Sequence, residues 1–167
     1  MVRIRGMAQT GLRVVAEMQS PHCVVVKAAS TEPGRPVVNA AKKSLTLDMP
    51  ELLGGNDRGV MPLEALMAAY AGSLNVTGNF VAHTSEFDLK SWKFTVWAEF
   101  DPSGIWGLNK VSKPIHVVHV EATVVTNESE KRLRELCATT EQRDPMHQLL
   151  KKAGVKFIAK WTRVKPK

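Results

Sequence analysis

"PLEALMAAYAGSLNVTG", residues 62–78, decides how the rest of the chain is read. Leu63, Leu66, Met67, Tyr70, Leu74, Thr77 and, just beyond the quoted stretch, Val81 recur at helical spacing. Pro62 stands at the first helical position, where a missing N–H costs nothing. The spacing predicts a helix over 62–83. Small residues fill most of its remaining faces, so burial on several sides is expected. Ser73 falls on the same stripe, three residues after Tyr70 and four before Thr77, and should point inward.

A single hydroxyl on such a helix is either a nucleophile or a structural group. A nucleophilic serine needs a base beside it, and "YAGSLNV" lacks the second glycine of a G-x-S-x-G elbow and lies mid-helix rather than on a strand-to-helix turn. The expectation is a buried serine bonding back to a carbonyl one turn earlier.

Working outward, "LLGGNDRGVMP" (52–62) is a Gly-rich loop whose spacing matches neither a P-loop nor a dinucleotide fingerprint. Before it, "GLRVVAEM" (11–18), "HCVVVKAA" (22–29) and "KSLTLDM" (43–49) read as strands of an antiparallel meander, parted by "QSP" and "STEPGRP". After the helix, "LKSWKFTVWAEFD" (89–101) alternates as a half-buried strand, and "IHVVHVEATVV" (115–125) is the strand expected to pair with it. "TNESEKRLRELCATTEQR" (126–143) opens with capping residues and puts Leu133, Leu136, Cys137 and Thr140 on one face of a second helix. "DPMHQLLKKAG" (144–154) has an Asp N-cap, a Pro at the first position and a Gly stop, which predicts a short third helix. "VKFIAKWTRV" closes the chain as a strand.

The 167 residues fit one domain, and 44% hydrophobic with 23% charged residues favours a globular class. No spanning helix or secretory signal is read. Two cysteines, Cys23 and Cys137, are too few for a disulfide framework and have no metal-ligand spacing, so a reducing, cytoplasmic setting is expected. His22, His83, His116, His119 and His147 form no ligand motif. His116 and His119, three apart on a strand, should face opposite ways, so no metal site is expected. The net charge of +7 lies entirely in residues 151–167, which hold seven Lys or Arg and no acid. Such a segment attracts nucleic acid, anionic lipid or an acidic partner; the plainer reading is a solvated edge whose lysines discourage strand pairing. Trp92, Phe94, Trp97, Phe100 and Trp106 could stack on a single strand of nucleic acid, but a packed core strand accounts for them more simply.

Together, "PLEALMAAYAGSLNVTG", "LKSWKFTVWAEFD" and "EQRDPMHQLL" resemble the OsmC/Ohr family of thiol-dependent hydroperoxide reductases over roughly residues 10–162. The family's central helix carries a pattern close to P-L-E-x-L-x-A-A-x-A-G-C, and a later segment carries C-P-V-x-x-x-L. The resemblance puts the peroxidatic cysteine at Ser73 and the resolving cysteine at Asp144. Neither residue can follow the thiolate, sulfenic acid and disulfide sequence of that chemistry. Glu64 matches the acidic position near the helix start, and the carboxylate also suits a helix N-terminus. Arg13 is the nearest candidate for the family's arginine.

The resemblance implies one α+β domain over 1–167 of OsmC-like type, with antiparallel sheets around a buried central helix. It further implies an intertwined homodimer whose active-site positions lie between subunits. The expected function is binding without thiol chemistry: a pseudoenzyme with a small apolar pocket near Ser73, Glu64 and Asp144, no cofactor and no metal. The alternatives are a hydroperoxide reductase using Cys137 or Cys23, and nucleic-acid or acidic-partner binding through 151–167. Nucleic-acid and membrane partners are not expected.

Overall fold

The computed structural model describes residues 27–30, 36–40 and 43–167, the first two segments as backbone only. Its contacts divide the chain into two compact units, residues 1–65 and 66–167.

In the first unit, β1 (Lys27–Ser30), β2 (Pro36–Ala40) and β3 (Lys43–Thr46) form an antiparallel sheet in that order. The expected strands over 22–29 and 43–49 thus appear as β1 and β3, while residues 11–18 and 22–26 lie outside the described residues. β2 was not expected. "PVVNA" is short and starts with a proline, which a strand tolerates at its first residue. The Gly-rich loop follows. Buried Asp48 organises it by accepting the N–H groups of Met49 at 2.8 Å and Arg58 at 3.1 Å. A β-carbon at Gly55 would overlap the Met49 carbonyl, so the loop can fold this tightly only without a side chain there.

Helix α1 runs Pro62–Thr84, close to the span the spacing predicts. In the second unit its Met67, Tyr70 and Leu74 pack with Val118, Val120, Leu150 and Val155, and its Val81 and Ala82 with Phe87, Val124, Leu133, Leu136 and Cys137. Each fully buried aliphatic side chain stabilises the fold by about 1.5–3 kcal/mol. α1 is not buried on several sides, however. Gly72, Asn75, Val76, Asn79, Phe80 and His83 are exposed, because the sheet and the other helices of the unit cover one face of α1 only.

That sheet consists of β4 (Leu89–Phe100), β5 (Ile115–Thr126) and β6 (Lys156–Val164). β4 and β5 pair antiparallel as expected. β5 and β6 are parallel, with Val117 opposite Lys156, because α2 (Glu130–Arg143) and α3 (Pro145–Lys152) carry the chain back to the start of β5. In β5 the alternate residues Val118, Val120, Ala122 and Val124 are buried. Ser129 caps α2 by accepting the Arg132 N–H, and Gly154, at φ +80°, turns the chain out of α3.

Trp92 and Phe94 lie against the core, but Trp97 and Trp106 do not. Trp97 stacks on His119 on the open sheet face, and Trp106 is exposed in the loop after β4. His116 and His119 also depart from expectation: both approach the Glu99 carboxylate, at 3.7 Å and 2.6 Å. The β4–β5 register slips between Glu99 and Phe100, which brings His116 round to the same acid.

Candidate functional site

Asp144 joins α2 to α3. Its N–H donates to Thr140 O at 2.8 Å, closing α2, and its carboxylate accepts the His147 N–H at 2.7 Å, opening α3. Pro145 supplies the first helical residue, so "DP" is a helix start as the sequence reading expects. The second carboxylate oxygen, Oδ2, faces α1. Ser73 Oγ donates to it at 2.7 Å and Thr77 Oγ1 at 3.1 Å. Asp144 is fully buried, and the three donors satisfy a carboxylate that would otherwise be costly there.

Ser73 therefore does not bond back to its own helix. Its hydroxyl crosses to a residue 71 positions away. An ionised acceptor outcompetes a carbonyl already engaged in the helix ladder. One turn earlier, the buried Tyr70 hydroxyl lies 2.8 Å from His147 Nδ1. Burial first, then the Glu141 and Asp144 charges, push the Tyr70 hydroxyl well above its ordinary range; burial also lowers His147 below its ordinary value. Both shifts favour the neutral forms, and the imidazole tautomer sets which of the two groups donates in this bond. The His147 ring stacks on Phe157 with centroids 4.2 Å apart.

The result is a polar seam inside an apolar interface, with Tyr70, Ser73 and Thr77 of α1 set against Asp144 and His147. Ser73 has a carboxylate beside it but no imidazole, and the described hydrogen bond of the His147 side chain goes to Tyr70.

The other expected site residues are elsewhere. Glu64 Oε2 accepts the Met61 N–H at 3.0 Å, an N-terminal capping bond of α1. Cys137 is buried in the cluster with Leu133 and Leu136, and burial, reinforced by Glu141, pushes its thiol up to about 12. Cys23, His22 and Arg13 lie outside the described residues. Among the described residues no group of three or more His, Cys, Asp or Glu could hold a metal ion, and no helix is long and apolar enough to cross a membrane.

Tyr70, Thr77 and His147 were not singled out as site residues. The signal was present in the spacing: polar atoms at 70, 73 and 77 recur along one face of an otherwise apolar stripe. Their partner segment is distant in sequence, and spacing alone cannot reveal it.

A seam between a small-residue helix and an Asp-Pro helix start, backed by a three-stranded sheet, defines an α+β protein built around its central helix. The model of the OsmC-like protein family matches residues 54–160, and the chain belongs to that family. The fold is similar to that of an OsmC-like protein from Mycoplasma pneumoniae, with TM-score 0.74, 18% identity, 86% of this chain and 99% of that one covered. An organic hydroperoxide resistance protein OsmC from Legionella pneumophila gives 0.68 at 18% identity, covering 86% and 99%. A Vibrio cholerae protein with captopril bound in one of its active sites gives 0.62 at 16% identity, covering 88% and 94%. A comparison with curated protein sequences found no significant match.

Proposed function

We propose that this chain is a non-thiol member of the OsmC-like family, in which Ser73 and Asp144 stand at the peroxidatic and resolving positions and the protein binds a small molecule without reducing a hydroperoxide. The observation that carries this reading is the 2.7 Å hydrogen bond from Ser73 to Asp144. It joins the two positions that the family resemblance assigns to the thiol pair. Reduction of a hydroperoxide needs a thiolate that attacks the peroxide oxygen, releases an alcohol and becomes a sulfenic acid, which a second thiol converts to a disulfide with loss of water. A serine hydroxyl and a carboxylate supply neither step.

Asp144 is spent on its three donors, so its part is to orient Ser73 rather than to touch a ligand. Ser73 is itself half-buried, which leaves it as the member of the pair that a ligand would meet. The Vibrio cholerae protein with captopril in an active site supports a small organic ligand as the class. The reading treats the chain as one domain, supported by a family match that runs across the division at residue 65. It also includes a homodimer in a cytoplasmic setting. Support for the dimer comes from the open stripe of α1, where Val76 is 56% and Phe80 38% exposed beside Gly72.

The test is consumption of an organic hydroperoxide with a dithiol donor. The expected result is no turnover above the protein-free rate. Turnover that disappears in Cys137→Ala or Cys23→Ala would overturn the reading and install the thiol peroxidase in its place.

A further inference from the structure

The loop after β4, residues 101–114, carries three of the most exposed large apolar side chains among the described residues: Ile105 (70%), Trp106 (55%) and Leu108 (71%). It is a folded tip rather than a slack connection. Asp101 accepts the Ser103 N–H at 2.9 Å and starts a short 3-10 turn, Pro102–Gly104. The Ile105 N–H then donates to Pro102 O and the Leu108 N–H to Ser103 O, both at 2.9 Å, and Gly107 takes φ +67°. Its own backbone bonds thus hold the apolar side chains outward.

Lysines from three segments gather at the same end of the sheet. The pairings Phe100 with Ile115 and Val117 with Lys156 place the end of β4 and the starts of β5 and β6 side by side. Lys110 and Lys113 come from the loop, Lys151 and Lys152 from the last turn of α3, and Lys156 opens β6. Lys113 Nζ lies 3.1 Å from where a β-carbon of Gly154 would be, which ties the loop to the α3–β6 turn. All five lysines are exposed, and none is in an ion pair among the described residues. The acids at this end are engaged, Asp101 with Ser103 and Glu99 with His119. Three lysines of the basic segment 151–167 thus stand at the same end of the sheet as the apolar loop.

We propose that the Ile105–Trp106–Leu108 finger and its collar of lysines form a docking surface for an anionic lipid bilayer, with the finger seated at the headgroup boundary and the lysines on the lipid charges. Tryptophan with aliphatic neighbours suits that boundary, and basic groups beside it add attraction to anionic lipid. A nucleic acid would use the lysines but would have no use for an aliphatic tip. This surface is independent of the Ser73 site.

The test is co-sedimentation of the full chain with phosphatidylcholine vesicles, with and without roughly one-third phosphatidylserine. The protein is expected to sediment with the phosphatidylserine vesicles. Trp106→Ala should weaken the partition about tenfold, while Lys110→Glu with Lys113→Glu should abolish the preference for anionic lipid. These positions are exposed, so circular dichroism should be unchanged in every variant. Sedimentation with neither vesicle would overturn the proposal. Adsorption indifferent to Trp106→Ala would do the same, by showing a basic surface that serves an acidic protein or nucleic acid. A mass by light scattering that falls in Trp106→Ala would assign the finger to a second copy, and the proposal would fail.

Discussion

At Asp144 one carboxylate does three jobs: it caps α3, receives Ser73 and receives Thr77. Asp144→Ala removes the cap and strands two hydroxyls, so unfolding free energy should fall by about 3 kcal/mol. Ser73→Ala loses one bond to a charged acceptor and should cost about 2 kcal/mol, a drop of roughly 4–8 °C in the thermal midpoint. Equilibrium urea unfolding and a thermal scan measure both. His147 supplies a pH dependence. Its folded pKa lies below the ordinary 6.5, so on acidification the unfolded chain takes up the proton first. The stability it contributes is fully present above 6.5 and is lost as pH falls from there toward the lowered value. His147→Gln should flatten that part of the stability profile, as read by urea midpoints over the same range. The Ser73–Asp144 pairing was legible only through the family resemblance, because 71 residues separate the partners and no periodicity connects them. The role of Asp144 as a helix start, by contrast, was written locally in Asp-Pro.

Among the elements, α1 was the most legible, since its apolar stripe and Pro62 mark both its existence and its start. Its open face was not, because small residues fit a helix buried on all sides equally well. β2 escaped notice for want of length, and the parallel β5–β6 pair because a crossover of two helices can return the chain in either direction. Gly78 is a further case. It sits under the Trp92 indole, whose Nε1 donates to Asn75 at 2.7 Å, and a β-carbon there would overlap the ring. Gly78→Ala gains roughly 1 kcal/mol of helix propensity yet should destabilise the protein, because rigid aromatic packing must open to admit the methyl. A lower urea midpoint with a shifted tryptophan emission would show it.

On the scale of the whole molecule, the central helix leaves Gly72, Val76 and Phe80 uncovered, which suits a second copy of the chain. Val76→Glu should convert the proposed dimer to monomer by light scattering, since a carboxylate has no partner in such an interface. The proposed function nonetheless rests on the seam, a hydrogen bond where the family resemblance puts a thiol pair. The most direct measurement is on the double variant Ser73→Cys with Asp144→Cys, made in a Cys23→Ser, Cys137→Ser background and treated with one equivalent of an organic hydroperoxide. The account predicts a mass loss of about 2 Da per chain and a single peptide cross-link between positions 73 and 144. A folded variant that keeps both thiols free, or stops at a sulfenic acid, would contradict the claim that these positions occupy the family's thiol-pair geometry.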